Sequence, residues 1–250
     1  MRIAAQARAR AALVVTFLCS AATSWAGPSE YVYSPIVEEG EREIDFKAGN
    51  AKSRDGSRDS ASSLGIGWGG TSWWFTEVYA KWHKPPGQAQ GFDAFEWENR
   101  FQLTETGKYA VDVGLLLEIE RPKDRSEGYE YRWGPLLQSD LSPNLQANLN
   151  LLLEKRIRGA QNTEAELGYQ WQLKHRWRAE MEFGMQGFGN VGPWTHWQPR
   201  KEQPHTAGPA LFGKLKVGER QTFKYNAGLL FGLTDAAPRT TIRLQGEFEF

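Results

Sequence analysis

The chain has 250 residues, with 30 basic and 30 acidic side chains, so it carries no formal net charge and offers no basic surplus to a nucleic-acid backbone. Its mean hydropathy of −0.58 and the lack of any apolar run of about eighteen residues exclude a membrane-spanning helix. They do not exclude membrane-spanning strands, because alternation halves a strand's apparent hydrophobicity.

Arg2, Arg8 and Arg10, the apolar run 11–18 and the small-residue site Ser24-Trp25-Ala26 make residues 1–26 a secretory leader cut after Ala26. Cys19, the single cysteine, lacks the small preceding residue that lipidation needs, and it leaves with that leader. The remainder then has no cysteine and a net charge of about −3, since three arginines leave and no acid does. Residues 27–40, with two prolines and no sustained alternation, form a lead-in or a segment tucked into the mouth of the domain that follows over 41–250.

From Arg42 onward the pattern has period two. Ile44, Phe46 and Ala48 alternate with Glu43, Asp45 and Lys47; the polar stretch 53–60 is a loop. The next strand sets Leu64, Ile66 and Trp68 against Gly65, Gly67 and Gly69. Its GIGWGG stretch opens no helix and keeps its glycines on one face, which argues against a phosphate-binding loop. Later strands alternate around Val78, Trp97, Leu115, Trp133, Leu149, Trp171, Phe183, Leu211 and Leu229, one of them starting at Tyr109. Asn99 is the exception, falling on the apolar face of its strand and calling for a bulge or a shifted register there. The last strand, RTTIRLQGEFEF, places Ile242, Leu244, Phe248 and Phe250 on one face and Arg243, Gln245, Glu247 and Glu249 on the other.

A final alternating strand ending on phenylalanine resembles the closing strand of bacterial outer-membrane β-barrels, a porin-like class. The resemblance implies an all-β, antiparallel, up-and-down transmembrane barrel of about twelve strands with an apolar face toward lipid and a polar face toward the lumen. It also implies that Phe248 and Phe250 act as the signal read by the barrel-assembly machinery, with outer-membrane lipid as the other partner and both termini periplasmic. Longer polar connections alternate with tighter turns, the longest spanning 187–205. Trp74, Tyr109, Trp171, Trp177, Tyr225 and Phe248 near the turns, and Trp82, Phe95, Tyr129 and Tyr131 near the loops, are expected to form two interfacial girdles.

The lumen-facing set is charged. Glu96, Glu98, Arg100, Asp112, Glu118, Glu180 and Glu182 make one wall mainly acidic, and Lys214, Lys216, Lys224, Arg239 and Arg243 make the opposite wall basic. Opposed walls suit a diffusion channel for small polar or charged solutes, while complete pairing suits a closed, salt-bridged barrel with a structural or surface-binding role. Inward glycines favour open space. A lipid hydrolase needs a histidine on a strand beside a serine or carboxylate. The sequence places His175 in a turn and His83, His196 and His205 in loops, so no catalytic residue, metal site or cofactor is expected.

Overall fold

The computed structural model describes residues 27–160 and 163–250; the leader expected over 1–26 lies outside the described residues. Twelve strands close into one antiparallel ring: β1 (Arg42–Lys52), β2 (Arg58–Thr71), β3 (Trp74–Lys84), β4 (Gly91–Gln102), β5 (Asp112–Pro122), β6 (Tyr129–Ser142), β7 (Leu145–Ile157), β8 (Glu166–Arg178), β9 (Met181–Pro193), β10 (His205–Lys216), β11 (Thr222–Gly232) and β12 (Thr240–Glu249). Each strand pairs with its chain neighbours, and β12 returns to β1 from Glu43↔Glu249 to Lys52↔Thr240. Phe250 extends that seam by donating its N–H to the Arg42 carbonyl at 2.9 Å. Closure leaves no sheet edge unpaired.

Alternation sets the two faces. Phe46, Ile66, Val78, Trp97, Leu229, Ile242 and Leu244 are exposed on the outside, while Glu43, Asp45, Glu77, Glu98, Glu118 and Asn150 are buried inside. Such a ring is inverted relative to a soluble domain, and its outer band of apolar side chains suits hydrocarbon. Leu117, at the middle of β5, is on that band and Leu115 lies nearer the short-turn rim. Leu117→Arg is therefore expected to destabilise the barrel by about 2–4 kcal/mol in lipid, and Leu115→Arg by less, because the penalty falls toward the interface. Urea titration of lipid-inserted protein measures both.

One end of the ring carries the connections 72–73, 103–111, 143–144, 179–180 and 217–221, the other 53–57, 85–90, 123–128, 158–165, 194–204 and 233–239. Several expected boundaries move. Strand β5 starts at Asp112, so Tyr109 stands in the connection 103–111. Strand β8 runs to Arg178, which puts Trp171 in mid-wall against Gly187 rather than in a girdle and takes His175 out of the turn. Strands β9 and β10 extend into the presumed longest loop and shorten it to 194–204. In β8, β9 and β10 the ladder continues past the expected end and in β5 it stops short of the apolar Tyr109, because the pairing partner, not hydrophobicity, ends a strand.

Asn99 needs no bulge. Its register, Thr76↔Asn99↔Leu117, is continuous, and the β3–β4 irregularity sits instead beside Asp93, between Lys81 and Trp82. Asn99 stays on the outer face, buried under Trp74, whose indole N–H donates to Asn99 Oδ1 at 3.1 Å. A polar residue is tolerated there because an aromatic neighbour both covers it and uses its acceptor.

Candidate functional site

Ladder register aligns charges that the sequence shows only as sharing a face. Glu43 lies opposite Glu249 across the seam, Glu77 opposite Glu98, Glu98 opposite Glu118, Glu118 opposite Arg132, Arg132 opposite Glu154, and Glu154 opposite Glu166. Gly67, between Glu43 and Glu77, completes a hydrogen-bonded row. Like charges directly across a ladder repel, so a row of carboxylates with Arg132 as its cation needs further counter-groups.

Arg100 of β4 supplies one of them to Glu98, and others come from residues 27–41, which run through the interior instead of lying outside the mouth. Tyr31 donates its hydroxyl to Glu98 and Tyr33 donates to Glu118, each at 2.8 Å. Glu30 accepts from Arg132 Nη1 at 2.7 Å and from Gln170 at 2.6 Å. Arg132 also lies 3.4 Å from Glu118 and 3.2 Å from Glu154. Lys47 is buried between the rings of Tyr31 and Tyr79, at 3.6 and 3.7 Å from their centroids, a double cation–π contact joining segment to wall. The segment is not a thirteenth strand. Wall side chains satisfy its backbone: Gln102 accepts from the Val37 N–H and Asn150 donates to the Tyr33 carbonyl.

Tyr33 also explains an exception to the polar interior. Leu116, Leu136 and Leu152, on three consecutive strands, point inward and close around its ring. Their inward parity was legible in the sequence and was the signal for an apolar guest. The inward glycines likewise do not mark empty space. A β-carbon at Gly49 would overlap the Pro28 carbonyl, one at Gly69 the Glu38 carbonyl, and one at Gly114 would stand 2.9 Å from Pro35. Glycine here lets the segment's backbone approach the wall.

The segment divides the lumen into two cavities. The one toward the longer loops, about 380 Å³, is lined by Lys81, Glu96, Glu120, Glu130, Arg156, Asp59 and His83 among others. The one toward the short turns, about 450 Å³, is lined by Glu41, Glu43, Arg100, Lys174, Glu182, Lys214 and Lys224.

Of the residues expected to line a pore, Glu96 accepts from Lys81 at 2.7 Å, Arg100 reaches Glu98 at 3.1 Å and stacks on Phe75, and Glu182 meets Lys174 at 3.2 Å. Asp112 instead caps the β4–β5 connection, accepting from the Gly107 N–H at 2.7 Å. Glu180 is in the exposed β8–β9 turn, Lys216 at the exposed end of β10, and Arg239 exposed in the connection before β12. No continuous basic wall forms. Lys224 is paired with Glu41, Glu247 and Glu249, and Lys214 lies 3.6 Å from Glu249. Arg243 donates to Gln186 at 2.9 Å and sits over Phe188. The acids of β12 share the face of Arg243 and cancel their neighbours on β11.

Three histidines are on strands after all, His83, His175 and His205. His83 of β3 contacts Asp59 at 2.6 Å, and His205 of β10 contacts the Tyr169 hydroxyl at 2.8 Å. Among the described residues no serine or threonine hydroxyl bonds to the His83 ring, so the pair lacks the nucleophile of a hydrolytic triad.

No protein-family model matches the chain, and no curated relative does either. Solved structures do resemble it. The NanC porin superposes with a TM-score of 0.56 at 9% identity, over 83% of this chain and 98% of that one. The KdgM porin in complex with disordered oligogalacturonate gives 0.55 at 12%, over 83% and 98%. The COG4313 outer membrane channel from Pseudomonas putida F1 gives 0.60 at 8%, over 86% and 97%. The chain has the β-barrel fold of these outer-membrane channels.

Proposed function

We propose that the chain is an outer-membrane channel for small polar or charged solutes, with the short turns and the C-terminus on the periplasmic side, while residues 27 and 28 reach the cavity toward the longer loops. Residues 1–26 are its export leader, and Phe248 and Phe250 are the feature read by the assembly machinery. The observation that carries this reading is an apolar exterior around a charged interior that holds a cavity at either mouth. A soluble barrel would turn a mainly polar face outward, not a continuous apolar band.

On β1–β5 the buried carboxylates Glu43, Asp45, Glu77, Glu96, Glu98 and Glu118 outnumber Lys47, Lys81 and Arg100. Charges lining a narrow conduit decide which ion enters. Purified protein in planar bilayers is therefore expected to carry current with a reversal potential favouring potassium over chloride in a salt gradient. An anion preference would count against the acidic row as the selecting element. The second reading, a closed barrel with a structural or surface role, is favoured by the segment in the lumen and predicts no current under any condition.

A further inference from the structure

Resting on that channel reading, we propose that residues 27–39 are a hinged plug, which pivots at Gly40 and withdraws through the short-turn mouth to join the two cavities into one conduit.

The anchor is at one end. Gly40 donates its N–H to the Gly69 carbonyl and Gly69 donates to the Glu41 carbonyl, both at 2.8 Å, which ties the segment to β2 where it enters β1. Gly40 has φ +80°, a left-handed conformation that glycine adopts freely, so the chain can turn sharply there. Beyond Gly40 nothing on the segment belongs to a ladder. The ring is complete without it, since β1 pairs with both β2 and β12 along its length. Withdrawal of 27–39 breaks bonds that wall side chains make to the segment, not a strand ladder.

The surface left behind can be wetted. Glu98, Glu118, Arg132, Gln170, Asn150 and Gln102 lose a partner in the segment and can take water instead. Removing a guest from a dry core would strand such groups, whereas here each end of the guest already borders a cavity. Leu116, Leu136 and Leu152 are the apolar remnant. They make the docked state the resting one, because Tyr33, with Tyr31 packed against the same cluster, covers them from the lumen side.

The close approach of Pro35 to Gly114 supplies a lock. A β-carbon at Gly114 would stand 2.9 Å from the Pro35 β-carbon, near enough for a disulfide after a small adjustment. In a Cys19→Ser background, the Pro35→Cys/Gly114→Cys pair is recorded in planar bilayers under oxidising and then reducing conditions, beside the parent chain and a variant lacking 28–37. The expected result is that oxidation lowers the open probability at least tenfold, reduction restores it in the same membrane, and the deletion variant stays open. If the oxidised pair conducts like the reduced one, the segment does not need to move, and the plug proposal fails while the channel reading stands. If the parent never conducts but the deletion variant does, the segment is a permanent filler, which also overturns withdrawal. If the folded deletion variant passes no current, the channel reading itself falls, and the plug with it. Because the locked and unlocked states are compared within one protein, a folding defect in the deletion variant does not spoil the test.

Discussion

Arg132→Ala is expected to cost the folded protein about 3–5 kcal/mol, the range for removing one member of a buried charge network. Arg132 is buried and serves Glu30, Glu118 and Glu154 together, and along the row from Glu77 to Glu166 it is the one cation in register. Truncating it takes a shared guanidinium away from three buried carboxylates, leaving Tyr33 still donating to Glu118 and Gln170 to Glu30. Arg132→Lys should lose less, since the charge is kept, but a point-like ammonium cannot reach three acceptors as a planar guanidinium does. Urea titration of both variants in detergent measures the difference. An Arg132→Ala midpoint equal to that of the parent would mean that water already screens the row.

Tyr33→Ala is expected to remove about 3–5 kcal/mol from docking of the segment, as for an aromatic side chain deleted from a packed core. The ring is 2% exposed, in the socket of Leu116, Leu136 and Leu152, and its hydroxyl holds Glu118. Tyr33→Phe keeps the ring and loses only the bond to a charged acceptor, a cost of about 1.5–3 kcal/mol. Limited proteolysis of folded barrels separates the two: cleavage within 27–40 should speed up by about a hundredfold to a few thousandfold in the alanine variant, with the phenylalanine variant between it and the parent. Leu116 belongs to the same socket, so Leu116→Arg is no harmless lumen substitution. It would put a charge against the Tyr33 ring.

The ring of strands was legible because alternation needs only one residue's neighbours. Ile44, Val78 and Leu117 announce the outer face, and Phe248 and Phe250 announce the closing strand. The acidic row was not legible, because face and height are separate facts. The sequence assigns Glu77, Glu98 and Glu118 to the interior, but only the register sets them side by side. The basic wall failed for the same reason, since Lys224 and Glu247 are cross-strand partners separated by most of two strands in sequence. The plug was hidden by its composition. Residues 28–37 show no strand pattern, and the glycines that accept them look like vacancy until the backbone of Pro28, Pro35 or Glu38 is placed against them.

The seam between β1 and β12 has one more consequence, in time. It joins Arg42–Lys52 to Thr240–Glu249, so the host of the internal segment is complete only when the two strands farthest apart in sequence meet. Bringing such distant stretches together is the slowest kind of pairing a chain undertakes. The segment can nevertheless find its socket earlier, because Leu116, Leu136 and Leu152 lie on β5–β7, which are adjacent hairpins of low sequence separation. Assembly in that order would use Tyr33 as a nucleus on which the open sheet curls, with the seam as its final ladder.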